Sequence, residues 1–575
     1  MLKKILLHIS KIGNLVLAWF NFCMFFAMRP CWSGISKMLK YESSNSWFIY
    51  NLPVFVWVLF FLIALTCTIL YIVFYKKDKN VWSYVFNGVN IAFFIVVIVV
   101  IALGAKDYMD YILPIFGIYV GIAAILLALI FLIFIYPKTK LVDNKIFKYG
   151  LISVICLSTA LVIVDFSFNT ITTGAVVYAV GEDYQIVFSS KTNSRAWVEI
   201  GGEKYFDNYN GSNRSYTRIH KITVPQSVLD DAKQYDIHVQ KITYEGPFGG
   251  WFGRDIKESY NFRPVDSSDG FDFYSLADIH MAGDASYKSA SAMKEKELLV
   301  LAGDIVSMMD SFEDANMVNE FANQITNGEI PVVYARGNHE LKGRYSEQFH
   351  NFVGADGEKF YYNFKLDNVY GVVLDMGEDH EDEYWEYYDT AYYDQYRNEQ
   401  VKFLEKEYEK GEYLNYDYRL AVCHIPVALI NTRGDHIEPK QNLTKALNDL
   451  DVNLMISGHQ HDLFILEPGT IEYNKDGKLP YNPEYSSSKP SKYKVTDHNF
   501  VNILVSKRGY TQTDDVPLTN MSSQIGLGTK VDFKNNKQTC FYLNSRGEKI
   551  NTVNPFAPIN YGTEMVFDLS TNKHI

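Results

Sequence analysis

Six times between residues 270 and 461, a short apolar run ends in side chains that hold metals well. The run at 271–277 leads into Asp278-Ile279-His280, and that at 298–302 into Gly303-Asp304. The run at 331–335 is followed by Gly337-Asn338-His339-Glu340, and that at 370–374 by Asp375-Met376-Gly377-Glu378-Asp379. The last two lead into His424 and into Gly458-His459-Gln460-His461. With one residue between them, Asp278 and His280 lie on the same face of an extended segment, where both can grip one ion. His459 and His461 repeat that spacing. A single Asp after a strand is ordinarily a turn or a helix cap, and a lone His is ordinarily a satisfied polar residue. Asp278, His280, Asp304, Asn338, His424, His459 and His461 together exceed coincidence. Carboxylate, amide and imidazole donors without thiolate suit Mn, Fe, Zn or a similar divalent ion and disfavour a structural tetrahedral zinc.

The elements that must position these groups follow from the pattern between them. Helix-like stretches at 311–327, 398–410 and 440–450 separate several of the runs. Strands alternating with helices make a layered α/β fold, which gathers functional groups at the carboxyl ends of its strands. Upstream, residues 170–264 change to short alternating runs (184–188, 196–200, 219–224, 235–244) punctuated by polar clusters such as 207–213. That pattern predicts an antiparallel β-sandwich, a spacer that presents the next domain. Asn210 and Asn213 open two glycosylation sequons, relevant only in a glycosylating host. Further β-like runs at 500–505 and 530–533 assign the C-terminal part to the catalytic domain.

The first 168 residues have another character. Uncharged stretches at 43–75, 80–105 and 111–137 exceed the roughly 20 residues that cross a bilayer. Residues 149–168 form a further span, and residues 12–28 a shorter candidate, giving five spans with four as the alternative. Lys76, Lys77 and Lys79 follow one span; Lys138, Lys140, Lys145 and Lys148 follow another. Loops rich in lysine stay cytoplasmic, so the last span exits outward and the large remainder faces outside. Asp165 is the only acidic or basic side chain inside the spans, which reads as an anchor and not a transport path.

Charge divides the chain the same way. Residues 1–168 carry 14 Lys/Arg against 6 Asp/Glu, whereas the other 407 carry 40 against 60, together giving the net −12. An acidic portion of that size excludes a nucleic-acid partner. Of six cysteines only Cys423 and Cys540 fall outside the apolar part, so there is no disulfide framework or CxxC metal site.

Asp278-Ile279-His280, Gly303-Asp304, Gly337-Asn338-His339-Glu340, His424 and Gly458-His459-Gln460-His461 resemble the calcineurin-like metallophosphoesterase superfamily, in its motif order, across about 185 residues. The resemblance implies two divalent metal ions (Mn, Fe or Zn). Asp278, His280, Asp304 and His461 would hold the first; Asp304, bridging, with Asn338, His424 and His459, the second. It implies a dinuclear phosphoesterase that hydrolyses phosphate esters through a metal-bridging hydroxide, with His339 as the catalytic residue at the leaving oxygen, oriented by an acidic partner. Two cations about 3.5–4 Å apart can bind phosphate oxygens and stabilise in-line attack.

The β-sandwich ahead of the catalytic part resembles the arrangement in purple acid phosphatases. So does the acidic, aromatic segment 375–400, whose residues 378–383 are read as a substrate wall or a solvated loop. Purple acid phosphatases carry a Tyr ligand three residues after the bridging Asp; Ser307 stands there, and His280 is an addition to their first motif. The site is therefore expected to be colourless. Arg336 and Arg344 flank the third motif, as phosphate contacts or as solvated surface.

The expected fold is multi-domain. It comprises an α-helical membrane bundle (1–168), a fibronectin III-like β-sandwich (169–266) and an α/β layered metallophosphoesterase (267–575) with a β-sandwich core flanked by helices. The expected protein is a multi-pass plasma-membrane phosphoesterase with an extracellular catalytic domain acting on phosphate esters. Alternatives are a diesterase or pyrophosphatase on nucleotides or lipid-linked phosphates, or a non-catalytic sensor or scaffold on the same fold.

Overall fold

The computed structural model of the chain describes residues 170–246, 249–280, 283–431, 437–461, 463–469, 493–505, 525–554 and 556–575, with scattered positions before residue 96. The chain divides into two units, Met1–Asn169 with Gln240–Asp255 and Thr170–Val239 with Ile256–Ile575; the second holds the architecture of the site. Among the described residues no helix is long and apolar enough to cross a membrane. The spans expected between residues 12 and 168 lie outside the described residues, apart from those scattered positions.

The second unit begins with strands β1 (Ile171–Val180), β2 (Asp183–Ile200), β3 (Glu203–Phe206) and β4 (Thr217–Pro225). Next come β5 (Gly270–Leu276), helix α1 (Gly283–Ala292), β6 (Leu298–Ala302), α2 (Phe312–Thr326) and β7 (Pro331–Ala335). They are followed by β8 (Tyr362–Leu366), β9 (Val369–Leu374), α3 (Tyr393–Lys410), β10 (Tyr418–Cys423), α4 (Ile437–Asp449) and β11 (Leu454–Ser457). The chain ends with β12 (Ile465–Leu466), β13 (Val501–Leu504), β14 (Gly526–Asp532), β15 (Lys537–Leu543) and β16 (Met565–Asp568).

One sheet runs β16-β15-β14-β5-β6-β7-β1-β2, and the other β8-β9-β10-β11-β13-β12. Within the first, β5, β6, β7 and β1 are parallel neighbours. Within the second, β9, β10, β11 and β13 are. Parallel strands covered on both faces read as continuous apolar runs. In β10, for example, Leu420 and Val422 face the core shared by the two sheets, while Ala421 and Cys423 face Leu404 of α3 and Leu443 and Leu447 of α4. Helix α2 starts where Ser311 accepts from the Asp314 amide and Asp314 accepts from the Ser311 amide, a reciprocal box that satisfies two otherwise orphaned donors. The expected runs at 500–505 and 530–533 become β13 and β14, and β14 pairs with β5, so C-terminal strands complete the sheet that carries Asp278.

The segment expected as a separate spacer is hydrogen-bonded into that same sheet. β1 pairs in parallel with β7, Val177 opposite Pro331 and Tyr178 opposite Val332. Helix α2 reinforces the join with three asparagines: Asn316 donates to Thr173 Oγ1 (2.7 Å), Asn323 to the Ala175 carbonyl (2.9 Å), and Asn319 accepts from Tyr178 Oη (2.9 Å). The residues of β1 from Ala175 to Ala179 are fully buried. The signal was present: Gly-Ala-Val-Val-Tyr-Ala-Val at 174–180 does not alternate, as a half-exposed sandwich strand would.

Segment β2–β4 holds a Ser-His-Asp chain. Ser194 Oγ lies 2.8 Å from His220 Nε2, and His220 Nδ1 lies 2.9 Å from Asp207 Oδ2. Those spacings match a hydrolytic triad, but Ser194 and His220 are wholly buried and Asp207 nearly so. Ser194 Oγ is also bonded to Ser190 Oγ (2.7 Å) beside a register shift between β2 and β4. The chain satisfies the polar groups of an irregular strand and admits no substrate. His220→Ala removes two buried hydrogen bonds, each worth about 0.5–1.5 kcal/mol net, so its urea midpoint should fall below that of the parent. A serine-directed fluorophosphonate should leave Ser194 unlabelled; labelling would mean that the strand opens in solution.

Candidate metal centre

The parallel strands end on a common rim, and each expected ligand stands just past one of those ends. Asp278 and His280 follow β5, Asp304 follows β6, Asn338 and His339 follow β7, His424 follows β10, and His459 and His461 follow β11. Backbone bonds carry the parallel order past the strands: Asp278 N donates to Gly303 O (3.1 Å), His280 N to Asp304 O (3.0 Å) and Gly458 N to His424 O (2.8 Å). Asp278, His280, Asp304, His459 and His461 all adopt positive φ, from +46° to +71°. Left-handed backbone in non-glycine residues costs about 1–3 kcal/mol each and persists where surrounding structure enforces it. At Asp278-x-His280 and His459-x-His461 it replaces the extended segment expected from the spacing.

Two glycines make room for this crowding. A Cβ on Gly303, whose φ is +81°, would meet Gly337 Cα at 2.7 Å and His424 Cβ at 2.8 Å. One on Gly337 would meet Asp304 Oδ1 at 2.2 Å. Glu340 closes the arrangement from beneath. Its buried carboxylate accepts from the amides of Asp304 (2.9 Å), Ile305 (2.7 Å), Val306 (3.2 Å) and Gly337 (2.8 Å), tying the loop after β6 to the loop after β7.

One potential ligand atom from each of Asp278, His280, Asp304 and His461 lies within 4.8 Å of the others. Around the far side of Asp304, His424 Nε2 stands 3.1 Å from Asp304 Oδ2. His459 Nδ1 stands 3.3 Å from Asn338 Oδ1, and the His459 amide donates to Asp278 Oδ2 (2.9 Å). All seven donors are thus brought to one rim, with Asp304 between the two groups.

The donor set fits cations on two further grounds. His424 Nδ1 is bonded to the Ala302 carbonyl (2.7 Å), and its buried Nε2 has no hydrogen-bond partner even though Asp304 is close. Burial pushes Asp278 up, to about 8, and burial with the nearby Asp304 charge pushes Glu340 to about 7. Burial opposes ionisation of Asp304 too, yet His424 and His339 hold its carboxyl below the usual range. These carboxylates are buried without a lysine or arginine partner among the described ion pairs. A divalent ion supplies the missing charge.

His339 is placed differently from the expectation. Its Nδ1 lies 2.8 Å from the Ser307 carbonyl, so a backbone oxygen orients the ring and no carboxylate is needed. Its Nε2 lies 3.9 Å from Asp304 Oδ2, and the side chain is 31 % exposed. Glu340, the acid that follows His339 in sequence, is engaged with four amides and does not orient that ring.

Arg336 is no phosphate contact. It pairs with buried Asp375 at 2.6 Å and lies over the Phe360 ring, clamping the loop after β7 to the loop after β9. Arg344 is exposed. Glu378 and Asp379, expected as a substrate wall or a solvated loop, contact the ligands instead, a role that sequence reasoning missed. Asn338 Nδ2 donates to Glu378 Oε2 (3.1 Å), and His459 Nε2 lies 3.1 Å from Asp379 Oδ2. Partial burial pushes Asp379 up, but the His459 ring holds it well below the usual carboxylate range. Their signal was the fourth apolar run, which ends in acids as the ligand-bearing runs do.

Metal removal has a signed pH dependence. Asp278, raised from 3.8 to about 8, takes up a proton when the metal-free chain folds, so metal-free stability falls as pH rises through that window. Metal binding needs the carboxylate ionised and strengthens over the same window. A chelator should therefore lower Tm more at about pH 7.5 than at about pH 5.5, measured by differential scanning calorimetry. An equal drop at both would refute the buried-carboxylate account.

Comparison with known proteins bears on the same residues. Positions 236–463 match the family model described as calcineurin-like phosphoesterase, a span that contains every donor named above. Solved structures with similarity include a purple acid phosphatase from yellow lupin (Lupinus luteus) seeds, at 13% identity over 66% of this chain and 74% of that one, TM-score 0.43. PhoD matches at 10% identity over 70% of this chain and 91% of that one, TM-score 0.38. A dimetal phosphatase from Danio rerio matches at 14% identity over 50% and 98%, TM-score 0.32. No curated protein matches the chain. Residues 236–463 thus match the calcineurin-like phosphoesterase family over less than half of the chain, and the donor set they carry supports metal-dependent phosphoester hydrolysis.

Proposed function

We propose that this chain is a membrane-anchored, outward-facing phosphoesterase with a dinuclear divalent centre. The observation that carries the catalytic half of this reading is the convergence of Asp278, His280, Asp304 and His461 from three separate strand ends. These four would hold one cation. Asp304, Asn338, His424 and His459 would hold the other, the orphaned Nε2 of His424 being one of its donors. Two bound divalent cations polarise phosphoryl oxygens and lower the pKa of a bound water.

The chain's own groups do the rest. Asp304, with its amide in the grip of Glu340, fixes the distance between the two donor sets. His339, tethered through Nδ1 to the Ser307 carbonyl, keeps Nε2 toward the open side of the rim. There it can hold a proton for the departing oxygen, with the Asp304 carboxylate stabilising the imidazolium. Because Ser307 occupies the position of the Tyr ligand of purple acid phosphatases, no tyrosinate-to-metal charge transfer arises and the loaded protein is colourless.

Uncharged stretches of bilayer length and the lysines that follow them support anchoring by the first 168 residues, with the catalytic part on the outer face of the plasma membrane. Proteinase added to intact cells should then remove the activity without lysis. Protection until the cells are broken would reverse the orientation.

For the chemistry, an aryl phosphate monoester and an aryl diester are supplied to the purified full chain. Turnover of at least one, abolished by chelator and restored by Mn2+, is expected. Absence of chelator-sensitive turnover on both would leave only a binding module. His339→Ala should lower kcat by about 10^2–10^4 while elemental analysis still finds the parent's metal content. Unchanged turnover would remove His339 from the chemistry.

A further inference from the structure

The loop after β9 presents consecutive acids, Glu378 and Asp379, to two different members of the metal centre. Glu378 is nearly inaccessible and accepts from Asn338 Nδ2 at 3.1 Å, its second oxygen lying 3.1 Å from Lys342 Nζ. An amide whose NH2 is claimed must turn its oxygen the other way, and Asn338 Oδ1 indeed faces His459 Nδ1 at 3.3 Å. Asp379 Oδ2 lies 3.1 Å from His459 Nε2. A carboxylate only accepts, so it claims the Nε2 proton and leaves Nδ1 as the nitrogen able to offer a lone pair.

The loop itself is gripped by α3. Fully buried Arg397 donates to the carbonyls of Met376 and Glu378. Gln400 donates to the Asp375 carbonyl (2.6 Å) and accepts from the Asp375 amide (2.8 Å). Gly377, at φ +70°, leaves no room for a Cβ beside Tyr393. The backbone at Asp375, Met376 and Glu378 is thus set by a helix and not by solvent.

Resting on the two-cation reading above, we propose that Glu378 and Asp379 are positioning residues for the second cation: one fixes the amide orientation of Asn338 and the other the tautomer of His459, so that Oδ1 and Nδ1 face the same ion. Neither is a ligand. The first cation's donors Asp278, His280 and His461 face one another, His461 Nε2 lying 3.2 Å from His280 Nε2 and 3.3 Å from Asp278 Oδ1, and the effect is expected at the second site.

Mn2+ alone is titrated calorimetrically into the metal-stripped full chain. The parent should take two ions; fewer than two would sink the two-cation reading itself, separately from this inference. Given two in the parent, Asp379→Asn and Glu378→Gln should each keep the tighter or first-filled event tied to Asp278, His280 and His461, and weaken the other by about 10–100-fold. Two undisturbed events in both variants would overturn the proposal. Circular dichroism and Tm of each metal-free variant separate a weakened site from a failed fold, and Asp379→Glu, which restores an acceptor, should recover part of the loss. Because Asp379 acts through His459, adding Asp379→Asn to His459→Ala should change Mn2+ affinity little further. A fully additive loss would make Asp379 a direct ligand and refute its positioning part.

Discussion

Everything at the rim depends on burying carboxylates that, among the described ion pairs, no lysine or arginine neutralises. Asp278, Asp304 and Glu340 are almost wholly out of solvent, and the Asp304 charge opposes ionisation of the other two. An isolated buried carboxylate protonates before it stays charged. The chain invests instead in keeping these groups where a divalent ion can use them: four amides on Glu340, left-handed backbone at five ligand positions, and glycines where loops meet. None of these devices stabilises the metal-free molecule in an obvious way. They are intelligible as the preorganisation of a site whose missing charge arrives with its ions.

How much of this was legible depends on whether the information is local. The apolar runs that became β5, β6, β7, β9, β10 and β11 were readable within a residue or two, since a strand buried on both faces is continuous in hydrophobicity and stops abruptly at its polar end. The ligands were readable because each sits at such an end. The partners of β1 were not, because parallel pairing with β7 joins residues about 150 apart in sequence and leaves no local trace. The amides gathered by Glu340 and the Ser307 carbonyl at His339 were beyond reach for the same reason. A carboxylate that gathers amides and one that holds a cation look alike in one dimension, and a backbone oxygen that orients His339 has no letter at all.

The acidic balance of the residues after 168 also takes on sense at this scale. Asp375 is neutralised by Arg336, Asp379 is matched to His459, and Glu378 to Lys342 and Asn338. Much of the negative charge near the rim is therefore committed to holding loops and ligands in register. Two divalent ions would then outweigh what remains in the field that an anionic ester meets. Net charge describes the surface that a distant polyanion encounters, and the bound ions describe the place where one phosphate lands.

The same chain offers an internal control for reading function from constellations. Ser194, His220 and Asp207 have triad types at triad distances, and they are sealed inside a strand pair. His339 has only a backbone carbonyl as its orienter, yet its side chain is 31 % exposed beside the bridging carboxylate. Hydrogen-bond geometry is common to both and so cannot decide between them. What decides is whether the reactive atom has a surface toward which a substrate can move and whether neighbouring charge changes with the reaction. By both tests the chemistry belongs to the rim, and the buried serine belongs to the fold.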